Sequence, residues 1–314
     1  MASKPVICLM GPTASGKTEV AIRLADSFPL DLVSVDSALV YRGMDIGTAK
    51  PDEELLRRYP HRLIDLREPG DNYSAGDFVR DAVVEIDATH AAGRIPLLVG
   101  GTMMYFRSLI EGIASLPAAD SSVRAAIDEE AAAKGWPEMH RQLAEIDSAA
   151  AAKINVNDSQ RIQRALEVYR LSGRPLSGWQ ENTAPVRSDY AFIKYALIPE
   201  PRALLHARIA ERLDLMLEAG FIDEVRALME RHGLTADHAS MRAVGYRQYW
   251  SFLKGDIGPE EARSAALAAT RQLAKRQLTW LRSEAELLTL NPLETDAFAA
   301  ISSDLAGRLA GDQS

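Results

Sequence analysis

One cysteine, Cys8, is present in 314 residues, so no intrachain disulfide can form. Its place in the apolar run Val6–Met10 reads as a small buried thiol. No apolar run approaches the roughly 18 residues that a membrane span needs. The run after Lys4 is too short for the core of a secretory leader and passes straight into glycine-rich sequence, so the expectation is a cytoplasmic chain. Internal repeats are lacking, as are low-complexity tracts beyond alanine-rich helix surface. An excess of positive charge is lacking too. The formal net charge is −8 and the isoelectric point about 5.4, which taken whole argues against a polyanionic partner.

The distribution of charge argues the other way. Between Arg242 and Arg282 stand Arg242, Arg247, Lys254, Arg263, Arg271, Lys275, Arg276 and Arg282, against Asp256, Glu260 and Glu261. A basic face on an acidic protein can still be a nucleic-acid footprint, because phosphates respond to the local field. A solvated, arginine-rich helix fits the same stretch. With 47% hydrophobic and 25% charged residues the chain can bury a core, and its length suits two domains or one core with a large insertion.

The pattern along the chain begins with a buried strand at Val6–Met10, followed by a glycine loop and helical spacing over Thr18–Asp26. Leu32–Val35 reads as a second strand. A helix runs from Asn72-Tyr73-Ser74 to Ala92, capped by Ser74, with Asp77 in its first turn and Gly93 closing it. Ile95–Val99 is a third strand, whose Pro96 suits a strand start or an edge. Gly100-Gly101 ends it, and Thr102–Ile110 starts another helix. This alternation predicts an α/β fold, a parallel sheet with helices on both faces. At Leu116-Pro117 the pattern changes. Residues 117–188 read as an inserted small all-helical domain with a loop-rich exit at Gly173, Pro175, Gly178 and Pro185. Residues 1–116 and 189–314 form the core. Phe192–Ile198 returns as a strand, helices fill the rest (Pro201–Ala219, Phe221–Arg231, Gly245–Leu253 and Pro259–Leu281), and the last ten or so residues look frayed.

Gly11-Pro12-Thr13-Ala14-Ser15-Gly16-Lys17-Thr18 matches the phosphate-loop pattern G-x-x-x-x-G-K-[ST] in full, with a strand before and a helix after. The glycines let backbone N–H groups turn around an anion and the helix start adds partial positive charge. Lys17 supplies a mobile cation and Thr18 a hydroxyl for Mg²⁺. The motif identifies a bound di- or triphosphate group, not the molecule that carries it. A hydrolytic ATPase usually holds Mg²⁺ with a second carboxylate at a strand end. Here the Ile95–Val99 strand ends in Gly100-Gly101-Thr102 instead, and the acid, Asp36, follows Leu32–Val35. Ligands of open α/β sheets gather outside the carboxyl ends of the strands, which brings Asp36, Thr102 and the phosphate loop to one crevice. A turn-capping aspartate is the plainer alternative for Asp36.

Several segments resemble one family, the tRNA dimethylallyltransferases (tRNA isopentenyltransferases), in their compact bacterial form. They are Gly11–Thr18, the highly specific stretch from Ser34-Val35-Asp36 through Tyr41-Arg42-Gly43-Met44-Asp45 to Lys50-Pro51, and Leu98-Val99-Gly100-Gly101-Thr102. The likeness continues through Pro60–Asp65, Asp158–Glu167, Arg242–Gln248 and Thr270–Arg282. It covers nearly the whole chain apart from about the last 25 residues, and it is to the form expected to do without the C-terminal zinc-finger extension of larger eukaryotic relatives. The resemblance implies dimethylallyl diphosphate as donor, its diphosphate on the phosphate loop with Mg²⁺ as cofactor, and the exocyclic amine of the adenine just 3′ of the anticodon as acceptor. Asp36 would accept the amine's proton, Thr102 would fix the same amine, and Lys17 would stabilise the departing diphosphate. The anticodon stem-loop would be gripped through Asp36, Ser37, Ala38, Leu39, Thr102 and Arg124. Further contacts would come from Gln160, Arg161, Ile162, Gln163 and Arg164, from Arg242, Ala243, Val244, Gly245, Tyr246 and Arg247, and from Lys275, Arg276, Gln277 and Arg282. ATP or ADP could compete at the loop, and no long apolar stripe calls for a partner, so a monomer is expected. Trp179, Trp250 and Trp280 read as core residues. A small-molecule kinase, an isopentenyltransferase acting on free adenine nucleotides and a non-enzymatic RNA-binding protein are the competing readings; the first two leave the basic stretch unexplained.

Overall fold

The computed structural model describes residues 3–114, 116–180 and 185–311. In chain order it runs β1 (Lys4–Met10), α1 (Lys17–Ser27), β2 (Leu30–Val35), α2 (Glu53–Arg58), β3 (His61–Arg62), α3 (Ala75–Ala91), β4 (Ile95–Gly100) and α4 (Met103–Ile110). There follow α5 (Ser121–Lys134), α6 (Trp136–Ile146), α7 (Ser148–Ala151), α8 (Ser159–Ser172) and α9 (Leu176–Gln180). The chain then forms β5 (Tyr190–Leu197), α10 (Arg202–Glu218), α11 (Phe221–Met229), α12 (Tyr246–Lys254), α13 (Pro259–Arg282), β6 (Leu287–Leu290) and α14 (Ala297–Gly311).

The six strands make one sheet in the order β3-β2-β4-β1-β5-β6, and every pairing is parallel. Cys8 in β1 sits in register with Leu98 of β4 on one side and Lys194 of β5 on the other. Successive side chains alternate between the two faces. Ile7, Leu9, Leu30, Leu32, Leu97, Tyr195 and Leu197 share one face with Val20, Ala21 and Leu24 of α1 and Ala297, Ile301 and Leu305 of α14. Their neighbours Cys8, Val33 and Leu98 turn the other way and are just as buried, so both faces are covered. Burial pushes the Cys8 thiol far above its ordinary range, and it is a core atom as the sequence suggests.

Local chemistry fixes the element ends. The Ser74 hydroxyl accepts the Asp77 N–H, while the Asp77 carboxylate accepts the Ser74 N–H, so the first turn of α3 closes on itself. Gly93 follows at φ 70°, the left-handed position that ends a helix. Pro96 is the second residue of β4, a central strand, and meets the strand-start half of its expectation but not the edge half.

The chain packs as two units, Met1–Ser108 with Arg187–Ser314, and Leu109–Val186. The division falls inside α4 rather than at Leu116-Pro117, because a helix interior carries no breaker to mark it. The second unit is all helix among its described residues, built around Ile127, Met139, Leu143, Ile162 and Leu166. Its exit loop contains the short α9, and residues 181–184 of that exit lie outside the described residues.

Two expectations for the C-terminal region need correction. Helices do not fill it completely, because Leu287–Leu290 adds the edge strand β6 to β5. Nor does the tail fray where described: Ala297, Ile301 and Leu305 recur at helical spacing on the buried face of α14. Residues 312–314 lie outside the described residues. The short β3 and α2 were not expected either. Leu305 is fully buried against α1, so Leu305→Ala should lower unfolding free energy by about 2–5 kcal/mol, measured by urea titration. An unchanged midpoint would mean that α14 does not belong to the core.

Candidate active site

Three adjacent strands, β2, β4 and β1, end on the same carboxyl edge because the sheet is parallel. Asp36 follows β2, Gly101-Thr102 follows β4, and the loop Gly11–Thr18 follows β1. The sheet itself therefore brings together the residues that the sequence singled out. The approach is close. A Cβ on Gly100 would lie 2.0 Å from the Val35 carbonyl oxygen, so only glycine lets the two strand ends meet.

Across this seam the Thr102 N–H donates to the Val35 carbonyl at 3.2 Å. The Thr102 hydroxyl oxygen accepts the Ser37 N–H at 3.1 Å and lies 3.4 Å from the Ser37 hydroxyl. One carboxylate oxygen of half-buried Asp36 accepts the N–H groups of Ala38 (2.8 Å) and Leu39 (3.3 Å). Asp36 thus does cap its turn, as the plainer reading held. That bond also fixes the carboxylate, leaving the second oxygen for other chemistry.

In the phosphate loop, Gly16 precedes α1 without a capping side chain, and first-turn N–H groups carry the helix's partial positive charge. Lys17 folds back so that its ammonium donates to the carbonyls of Gly11 (2.9 Å) and Pro12 (2.7 Å) and to the Ser15 hydroxyl (3.3 Å). Burial, and after it the Arg212 guanidinium, lower the Lys17 pKa to about 7, against the opposing pull of the Asp36 carboxylate. Thr18 lies exposed in the first turn of α1.

Arg212, on α10, escaped the sequence reading. Burial pushes its pKa below the ordinary arginine value, with the Asp36 carboxylate as the opposing influence. It belongs to one electrostatic group with Lys17 and Asp36. No local motif marks it, since α10 carries other arginines at comparable spacing, and only the fold distinguishes this one.

The segment after Asp36 is anchored from below. Glu224 of α11 accepts the backbone N–H groups of Asp45, Ile46 and Gly47 and the Tyr246 hydroxyl. The Lys50 ammonium reaches the Tyr41 carbonyl, Asp45 and Asp65 and is nearly buried. Val40, Tyr41 and Met44 enter the same core as Phe221, Tyr246 and Tyr249.

The remaining predicted contacts divide by exposure. Gln160, Arg161, Arg242, Arg247, Lys275, Arg276 and Arg282 are exposed, and Ala243 and Val244 half-buried. Ile162, Gly245, Tyr246 and Gln277 are buried, on the inward face of the helix or helix start that carries each. Gln163 donates to Asp128. Arg124 and Arg164 both hold the buried Glu167, and Arg164 also donates to the Pro117 carbonyl. Burial alone would raise the Glu167 pKa, but the hydrogen bonds from Arg124 and Arg164 and from the Asp120 N–H win and lower it. These two arginines are structural cations of the helical unit. Trp250 is buried; Trp179 and Trp280 are half-buried.

Among the described residues no group of three His, Cys, Asp or Glu side chains could hold a metal ion by itself, and no helix is long and apolar enough to cross a membrane.

Comparison with known proteins gives one answer. Residues 39–284 match the family model described as IPP transferase. The tRNA dimethylallyltransferase of Thiobacillus denitrificans is 54% identical over 292 residues, 93% of each chain. That of Burkholderia ambifaria is 53% identical over 299 residues, 94% of this chain and 92% of its own. Among solved structures, the tRNA isopentenylpyrophosphate transferase of Bacillus halodurans is 35% identical with a TM-score of 0.71, covering 99% of this chain and 98% of its own. A eukaryotic dimethylallyltransferase acting on tRNA superposes with a TM-score of 0.75 at 26% identity, covering 98% of this chain and 80% of its own.

The half-buried Lys17 makes a direct prediction. In protein with ¹³C-methylated lysines, the Lys17 resonance should titrate near pH 7, well below the exposed lysines, and should vanish in Lys17→Met. Inorganic diphosphate should move this titration upward, because an anion favours the ammonium form. Titration near 10 without anion would overturn the burial argument.

Proposed function

The chain belongs to the IPP transferase family, and we propose that it transfers a dimethylallyl group from dimethylallyl diphosphate to the exocyclic amine of the adenine immediately 3′ of the anticodon in tRNA, releasing diphosphate. The observation that carries this reading is the convergence of one carboxylate, Asp36, and one phosphate loop at the carboxyl ends of two strands separated only by β4, with Lys17, Arg212 and Asp36 in one electrostatic group.

The chemistry follows from the charges. The allylic C–O bond of the donor breaks, and its electron pair leaves with the diphosphate. Lys17, Arg212 and the loop amides stabilise that developing charge. The adenine nitrogen forms the new C–N bond and becomes acidic as it does so. Asp36, oriented by its turn, accepts the proton, and Thr102 holds Ser37 beside it. The adenine must leave the anticodon stack to reach a strand-end crevice.

Mg²⁺ usually keeps several waters and binds through one or two protein ligands plus substrate phosphates, so the exposed Thr18 hydroxyl beside a bound diphosphate suits it. There it would neutralise part of the leaving group's charge. The same loop can receive the phosphates of ATP or ADP, which would then compete with the donor.

For the acceptor, the exposed side chains Gln160 and Arg161 on α8, Arg242 and Arg247 around the start of α12, and Lys275, Arg276 and Arg282 on α13 are the contacts of this reading, with Ser37, Ala38 and Leu39 near the reacting base. Arg124, Ile162, Gln163, Arg164, Gly245 and Tyr246 shape the surfaces that present them. The chain is expected to act as a monomer.

The test is to incubate the protein with labelled dimethylallyl diphosphate, Mg²⁺ and either tRNA or AMP. Label on tRNA alone is the expected result; label on AMP, or phosphorylated product with ATP, would displace the reading. Asp36→Asn should slow single-turnover transfer by on the order of 10² to 10⁴, with donor and tRNA still bound. Near wild-type chemistry in that variant would remove Asp36 as the base, and a lowered melting temperature alone would reduce it to its turn-capping role. Arg247→Ala and Arg276→Ala should each weaken tRNA binding and reduce its salt dependence by about one unit of slope, with turnover better preserved than affinity. Unchanged slopes in both would make them solvated helix cations.

A further inference from the structure

Gln277 is a polar side chain in an apolar place. It lies on the buried stripe of α13 with Ala274, Leu278 and Leu281 and is only 9% exposed. A buried amide is tolerated only when its donor and acceptor are both engaged. Here they are, and by backbone from two different loops. The Gln277 Oε1 accepts the Thr13 N–H at 3.0 Å, and Nε2 donates to the Gly101 carbonyl at 2.8 Å. A Cβ on Gly101 would come within 2.4 Å of that Nε2, so a side chain there would push the amide out of its present hydrogen bonds.

We propose that Gln277 is a positioning residue for the donor: its amide clamps the phosphate loop at Thr13 to the Gly101-Thr102 segment and so holds the loop in the shape that receives the diphosphate. The inference rests on the transferase reading. Its basis is the chemistry of the amide. One planar group must accept from one peptide and donate to another, and only glutamine does both at this reach. The Thr13 N–H is thereby committed to α13, so the loop amides left to face an anion are those from Ala14 to Thr18. Thr102, one residue beyond the clamp, braces Ser37 and so the turn that carries Asp36. Donor loop and base turn share this single fixed point. Lys275 and Arg276, exposed on the same turn of α13, place it next to the proposed tRNA contacts, yet Gln277 itself faces inward.

The experiment compares Gln277→Leu and Gln277→Glu with wild-type protein. Calorimetry measures affinity for dimethylallyl diphosphate without tRNA, steady-state kinetics measures KM and kcat, and a filter assay measures tRNA affinity. Gln277→Leu leaves both backbone groups without a partner, and donor affinity should fall roughly ten- to a hundredfold while tRNA affinity changes little. In Gln277→Glu an ionised carboxylate would face the Gly101 carbonyl, whereas the protonated acid can donate to it. Its donor affinity, relative to wild type at each pH, should therefore recover as pH falls from about 8 to about 6, and that of Gln277→Leu should not. A purely structural residue would lower the melting temperature without a donor-specific loss or a pH-dependent recovery, and that result overturns the proposal. So does a loss confined to tRNA affinity. Should Gln277→Leu fail to fold, the pH dependence of Gln277→Glu decides alone. Failure of wild-type protein to modify tRNA would sink the transferase reading while leaving the donor-affinity comparison intact.

Discussion

The active edge depends on one close approach between two peptides. β2 and β4 meet at their carboxyl ends with the Val35 carbonyl where a side chain on Gly100 would be. Any larger residue would push the strands apart and break the Thr102–Val35 hydrogen bond. Thr102 would then lose its hold on Ser37, and the Asp36 turn would lose its brace. The chemistry assigned to Asp36 is in this sense a property of a glycine on the neighbouring strand.

The electrostatics of the site is set by a conflict that the fold keeps unresolved. Two cations, Lys17 and Arg212, lie half-buried near one carboxylate, and burial lowers the pKa of both. Such a group is best neutralised by an added anion. Lys17 meanwhile rests on its own loop's carbonyls, so it is held near the place where a phosphate would draw it away. The helical unit uses the same balance for structure: buried Glu167 holds two half-buried arginines, Arg124 and Arg164, whose outer surfaces reach solvent.

The sequence made one half of this legible and hid the other for identifiable reasons. The phosphate loop, Asp36 and Thr102 could be read because parallel strands ending in glycine or aspartate announce their own carboxyl edge. Exposed cations such as Arg247 and Arg276 could be read from charge density. The inward turn of Ile162, Tyr246 and Gln277 could not be read from a motif, because a motif gives spacing and not the face of the helix. Arg212 was hidden because its importance lies wholly in tertiary proximity. β6 and α14 were missed because Leu287–Leu290 is short and Ala297, Ile301 and Leu305 form a thin stripe on an alanine-rich helix, too sparse to stand out without the α1 surface they cover.

The central strand has a consequence for biosynthesis. Val6 of β1 pairs with Phe192 of β5, so one side of the sheet's middle strand waits for a partner roughly 180 residues downstream. At about 5–20 residues per second, the nascent chain emerges for roughly 10 to 40 seconds with that hydrophobic strand edge unmatched. During this interval the five helices of the inserted unit are made, and their core draws on none of the sheet. The helical insertion is therefore made while β1 still lacks one of its two neighbours, and the exposed species during synthesis is the half-sheet.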